Sequence, residues 1–119
     1  MNMKENLLVE KSKQFAIDII NFCDNAKGPA SLVSQLVRSG TSIGANIHEA
    51  QYAHGKADFI AKLEISLKEC SETEYWLDIL FKTNRIDELK YKNLKQEAGS
   101  IRRILISSCR TAKNDNNYY

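Results

Sequence analysis

Long apolar runs, prolines, paired cysteines and enzyme signature motifs are scarce or missing here, and each lack excludes something. No apolar run approaches the roughly 18 residues that a membrane span needs, so no membrane helix is expected. The opening Met1-Asn2-Met3-Lys4-Glu5 lacks the apolar stretch of a secretory leader. The three cysteines, Cys23, Cys70 and Cys109, are odd in number and far apart. Each falls on an apolar helical stripe. They read as small core residues in a reducing, cytoplasmic compartment and not as a disulfide framework. One proline and five glycines in 119 residues leave little room for long loops or low-complexity tracts.

The chemistry is just as sparse. There is no P-loop, no G-x-G-x-x-G, no G-x-S-x-G elbow and no H-E-x-x-H. Di-iron bundles use Glu-x-x-His on two helices. Here His48 and His54 sit close together, and neither follows a glutamate by three. No cysteine pair has metal-site spacing. Hence no catalytic residue, cofactor or metal ligand is expected, and the chain is not read as an enzyme.

What is present is helix. Leu, Ile, Ala, Glu and Lys outnumber Val and Thr. Hydrophobic residues at 43% and charged residues at 27% fit a soluble globular protein with one core, a single domain over residues 1–119. Segment one, about 5–25, carries Leu8, Ser12, Phe15, Ile19 and Phe22 at alternating spacings of four and three. Lys27-Gly28-Pro29 closes it, with glycine suited to the position after the helix and proline unable to continue it. Segment two, about 30–53, carries Leu32, Leu36, Ser39, Ile43, Asn46, Ile47 and Ala50, beside a second stripe through Val33, Val37, Gly40 and Gly44. His54-Gly55 closes it. Segment three, about 56–83, carries Phe59, Leu63, Ser66, Cys70, Thr73, Leu77 and Leu80, with Ile65, Trp76 and Ile79 on another side as a candidate partner surface. Segment four, about 87–114, opens on Asp87 as a helix cap and carries Leu94, Ala98, Ile101, Leu105, Ser108, Cys109 and Ala112. Four such helices with short connections predict an all-α, antiparallel up-down-up-down four-helix bundle. The alternative is a helical hairpin assembled into a larger oligomer.

Segment two is the most unusual of the four. From Arg38 to Ala50 its residues are small, weakly charged and partly glycine. Gly40 and Gly44 each cost about 1 kcal/mol in a helix interior. Close approach of a neighbouring helix is the expected compensation, from within the bundle, from another copy, or both. A break at Ser39-Gly40-Thr41 is the alternative.

Two constellations can carry function. Arg38, Asn46, Glu49, Glu72 and Glu74 sit on or beside apolar faces, and form a candidate polar network. Such a network can fix register and assembly or form a small-molecule site; otherwise these groups are simply solvated. The second is electrostatic. Residues 56–82 carry four basic and six acidic side chains, whereas residues 85–119 carry eight and four. On a helical wheel Lys92, Lys95, Arg102, Arg103, Arg110 and Lys113 fall within an arc of roughly 100°, turned away from the apolar stripe. Such a face can bind phosphates with salt-dependent, sequence-independent affinity. The other reading is an ordinary solvated face. No aromatic residue interleaves with it, so stacking on aromatic rings is not expected.

The motifs in segments two and three resemble a known family. Arg38-Ser39-Gly40, Ser42-Ile43 and Asn46-Ile47-His48-Glu49 are followed by Lys56, Phe59-Ile60, Leu63, Leu67, Glu72-Thr73-Glu74 and Leu77. This order resembles the bacterial four helix bundle protein family, also called the ribosomal-RNA intervening-sequence protein family. Its relatives include Avd, the accessory variability determinant of diversity-generating retroelements. Ala50 stands where the family usually has glycine, so the turn after segment two is expected to differ. The resemblance implies an antiparallel bundle that assembles into a homopentameric ring, without known enzymatic activity. It also implies nucleic acid, and a reverse transcriptase or other nucleic-acid enzyme, as partners. No catalytic residue carries over. The expected function is therefore a non-catalytic, oligomeric accessory protein that binds RNA or DNA through segment four. The rival is a protein-interaction scaffold that binds neither.

Overall fold

The structure, a computed structural model, describes residues 2–114. It contains four helices: α1 (Met3–Cys23), α2 (Ala30–Ala50), α3 (Lys56–Lys82) and α4 (Glu88–Asn114). Among the described residues there is no strand. No helix among them is long and apolar enough to cross a membrane.

Local hydrogen bonds decide where each helix begins and ends, and they shift several of the expected bounds. α1 starts two residues earlier than its stripe suggests. The Asn2 side chain accepts from the Glu5 backbone N–H (2.8 Å), and the Glu5 carboxylate accepts from the Asn2 N–H (3.1 Å), closing a capping box. α1 stops at Cys23, before Lys27-Gly28-Pro29 is reached. Gly28 is not its cap; it lies in the connection with φ +132°, where an added Cβ would meet Arg85 Cδ at 2.9 Å. α2 ends at Ala50, three residues early, because Gln51, Tyr52 and Ala53 turn back to the carbonyls of His48, Glu49 and Ala50. α3 closes in a Schellman motif. Asn84 takes the left-handed conformation (φ 59°). Its N–H donates to Phe81 O, and that of Arg85 to Leu80 O. Asp87 caps α4 as expected, its carboxylate accepting from the Lys90 N–H at 2.8 Å.

The four helices surround one core. Leu8, Phe15 and Ile19 of α1 meet Leu36, Ile43 and Ile47 of α2, Leu63, Cys70, Leu77 and Leu80 of α3, and Ile101 and Leu105 of α4. Each helix packs on two others, in the cyclic order α1, α2, α3, α4 and back to α1.

The glycines of α2 explain its composition. α2 is continuous through Ser39-Gly40-Thr41, so no break occurs there. A Cβ on Gly40 would lie 3.0 Å from Ile19 Cγ2, and one on Gly44 would lie 3.2 Å from the Ser12 carbonyl oxygen. Both glycines therefore face α1 of the same chain, Gly40 buried and Gly44 half-buried. On its other side α2 meets α3 through buried hydroxyls. Ser66 Oγ donates to Ile43 O (2.8 Å) and Thr73 Oγ1 to Ser39 Oγ (2.9 Å).

Candidate nucleic-acid interface

The six cations singled out on α4 do not share one environment. Arg102 Nε donates to Glu74 of α3 at 3.0 Å. Lys95 pairs with Asp78 at 3.0 Å and with Glu74 at 3.8 Å. Lys113 pairs with Glu64 at 3.0 Å. Lys92 pairs with Glu88 one turn away on α4, at 3.5 Å. Arg103 and Arg110 are exposed, and among the described residues neither forms an ion pair. The basic face is thus a mixed surface: two guanidinium groups free of ion pairs, one lysine paired within α4, and three cations shared with α3.

The acidic partners were legible as a charge and not as positions. Residues 56–82 carry an excess of acid. The packing of α3 beside α4 turns Glu64, Glu74 and Asp78 toward the cations.

The five polar residues expected to form a network divide into separate groups. Arg38 pairs with Glu69 at 3.0 Å and with Glu72, and accepts help from Gln35, whose Oε1 receives its Nε–H. Glu72 also accepts from the Trp76 indole at 3.0 Å. That indole hydrogen bond, then Arg38, holds the Glu72 carboxyl below the usual range. Glu49 pairs with Lys62 at 2.9 Å. Glu74 belongs to α4 through Arg102 and Lys95. Asn46 only donates back to Ser42 O of its own helix, at 2.8 Å. The groups are half-buried or exposed, so the reason for division is that α2 and α3 meet through apolar and hydroxyl side chains, with charges left at the margins.

A second cluster closes the lower part of the α3–α4 seam. The Tyr91 hydroxyl donates to Asp78 at 2.6 Å, and the Tyr91 ring stacks on Phe81 with centroids 4.2 Å apart. Burial pulls the Asp78 carboxyl up, but Tyr91 and then Lys95 outweigh it and hold it low. The thiols suit core packing. Burial, and then the Asp24 charge, pushes Cys23 up to about 11; burial, and then Glu74, pushes Cys70 up to about 12. Among the described residues no group of three or more His, Cys, Asp or Glu side chains could hold a metal.

Sequence reading missed a groove of about 320 Å³ between α3 and α4, lined by Glu64, Leu67, Ile106, Cys109, Arg110, Lys113 and Asn114. Its one signal was Ile106, an apolar residue set between Arg103 and Arg110 on the basic side of α4.

The expected partner patch is only partly open. Ile65 is 42% exposed, whereas Trp76 packs against the core with its indole tied to Glu72.

No functionally curated protein matches the chain. Among solved structures it is similar to a protein of unknown function from the S23 ribosomal protein family of Bacteroides thetaiotaomicron VPI-5482. The identity is 45%, the TM-score is 0.87, and the match covers 92% of this chain and 100% of that one. Residues 4–107 match the 23S rRNA-intervening sequence protein family, and the chain belongs to that family.

Proposed function

We propose that this protein is a non-catalytic accessory protein that binds nucleic acid electrostatically along the outer edge of α4. The observation that carries the reading is the pair Arg103 and Arg110: exposed, on one side of one helix, and free of carboxylate partners among the described residues. Seven residues apart, they stand about 10 Å from each other along the axis. Lys92, Lys113 and Arg102 flank them with charges only partly neutralised by neighbours. The family's link to a ribosomal-RNA intervening sequence supports a nucleic-acid setting. A nucleic-acid-processing enzyme is the protein partner this role implies.

The proposed architecture is an antiparallel bundle that assembles with copies of itself. Ile19 with Gly40 and Ser12 with Gly44, Ile43 with Ser66 and Ser39 with Thr73, and Asp78 with Lys95 and Glu64 with Lys113 support the antiparallel order, since in each helix pair one number falls as the other rises. Exposed Met3, Leu7, Ile17 and Ile20 on α1 support assembly.

Titration of a labelled oligonucleotide at several salt concentrations tests the binding. Affinity should fall linearly on a log–log salt plot, and Arg103→Glu with Arg110→Glu should weaken it by about tenfold or more. Salt-independent binding, or no change in the double variant, would count against the α4 edge. No binding at all, with a protein partner lost on Ile65→Asp, would favour the scaffold reading.

A further inference from the structure

The groove between α3 and α4 lies beside these two arginines, and part of its lining is of the wrong chemistry for a phosphate. Leu67, Ile106 and Cys109 give the lining its apolar part; Glu64, Arg110, Lys113 and Asn114 give it its polar part. Ile106 stands three residues after Arg103 and four before Arg110, so an apolar side chain is framed by guanidinium groups one turn to either side. It is 38% exposed, open to a ligand while still part of the wall. At one end the Lys113 ammonium and Glu64 carboxylate, 3.0 Å apart, present a donor and an acceptor side by side. A bare phosphate gains nothing from the apolar part. An aliphatic side chain gains nothing from the flanking cations. An unpaired nucleotide uses both. A duplex keeps its bases stacked and offers this helix face only its backbone.

We infer that the α3–α4 groove receives one unstacked base of a single-stranded nucleic acid, with neighbouring phosphates on Arg103 and Arg110. The volume of about 320 Å³ is at the small end of ligand clefts and suits one base more than a stack. No aromatic residue lines it, so the planar Arg110 guanidinium supplies the stacking face that a ring would supply elsewhere. The inference rests on the reading of α4 as a nucleic-acid surface and adds to it a preference for single strands.

Fluorescence anisotropy with the full chain separates the two ideas. Three probes are compared at one salt concentration: oligothymidylate, an abasic strand of equal length, and a duplex with the same number of phosphates. Oligothymidylate should bind about tenfold tighter than the abasic strand. Ile106→Ser, which changes no charge, should shrink that gap to about threefold or less and leave abasic binding unchanged. Its partial exposure keeps the fold safe, and a thermal melt by circular dichroism verifies it. Equal affinity for the base-bearing and abasic strands, tighter duplex binding, or an unchanged gap in Ile106→Ser overturns the base site while leaving the phosphate surface standing. Absence of binding to all three probes overturns both.

Discussion

The α1–α2 seam and the α3–α4 seam solve the same packing problem by opposite means. Between α1 and α2 the helices approach until even a Cβ would be tight, with Gly40 on Ile19 and Gly44 on the Ser12 backbone. Between α3 and α4 the margin is built from long charged side chains, Arg102 and Lys95 to Glu74 and Asp78, and Lys113 to Glu64. The first seam is close-packed at Gly40, and opens into a groove of about 220 Å³ beside Gly44, lined by Val9, Ser12, Ala16 and His48 among others. In the second, the same cations serve the fold and face solvent, so a phosphate must compete with α3 carboxylates for Lys95, Arg102 and Lys113 and with Glu88 for Lys92, but with none for Arg103 and Arg110. Close backbone approach belongs to one side of the molecule and exchangeable charge to the other.

The strongest way to break this contrast is to place a side chain on Gly40 of the first seam and on Gly99 of α4. Gly40→Leu forces several carbons into space held by Ile19, which is fully buried. It should lower the free energy of unfolding by about 2–3 kcal/mol, measured by urea titration. Gly99→Ala on α4 has no such wall. Its Cβ would meet only the mobile end of Arg103 at 3.4 Å and of Arg102 at 3.6 Å. The better helix propensity should win, raising stability by about 0.5–1 kcal/mol. A Gly40→Leu protein as stable as the parent would remove the account of the close-packed seam.

Next in size is Glu74→Gln. Glu74 is the carboxylate shared by Arg102 and Lys95. Losing its charge should cost about 1 kcal/mol in stability, since the pair is partly solvated. The same change releases Arg102, while Lys95 keeps Asp78 at 3.0 Å, and should tighten oligonucleotide binding by about threefold at low salt. Stability and affinity would move in opposite directions. An unchanged melting temperature would show that the ion pairs decorate the seam without holding it.

The acid limb of stability reports on charges at the margins of α3, Glu72 toward α2 and Asp78 toward α4. Glu72 and Asp78 both titrate lower in the folded chain than in the unfolded one. Their ionised forms therefore favour folding above the ordinary carboxylate range. That contribution fades as pH falls through the range toward their lowered values. Melting temperatures between pH 7 and pH 3 should fall less steeply in Glu72→Gln than in the parent. Parallel curves would mean that the Trp76 and Arg38 hydrogen bonds do not favour the charged form.

How far this could be foreseen follows the same divide. The close-packed seam was legible because its signal is local. Gly40 and Gly44 sit four apart in a helix with almost no charge, and only close packing gives such a composition a use. Every residue of the α3 stripe from Phe59 to Leu80 is buried where the four-three spacing puts it. Helix ends were less legible, because a capping box at Asn2 and a turn after Ala50 depend on two or three local hydrogen bonds. The charged seam was least legible. A wheel shows which way Lys95, Arg102 and Lys113 point but not what stands opposite, and Glu64, Glu74 and Asp78 come from 17 to 49 residues away in sequence. The groove needs two helices at once, so Ile106 among arginines could be noticed without being understood.

The smallest test uses one substitution, serine to alanine, at two buried places. Ser66 on α3 donates its hydroxyl to Ile43 O across the α2–α3 interface. Removing it leaves that carbonyl one bond short, and Ser66→Ala should cost about 1 kcal/mol. Ser108 on α4 is also buried, but its Oγ has no hydrogen-bond partner among the described residues. It lies beside Lys4, Phe59 and Thr111, where the helices leave a small cleft. Taking away an unsatisfied hydroxyl removes a desolvation cost, and alanine is the better helix former. Ser108→Ala should therefore be neutral or stabilising by up to about 1 kcal/mol, read as a rise in urea midpoint at unchanged slope. The opposite signs matter more than the sizes. A loss at position 108 as large as that at 66 would mean that its hydroxyl has an ordered partner, and that the α4 side of the core is wetter and more polar than its packing indicates.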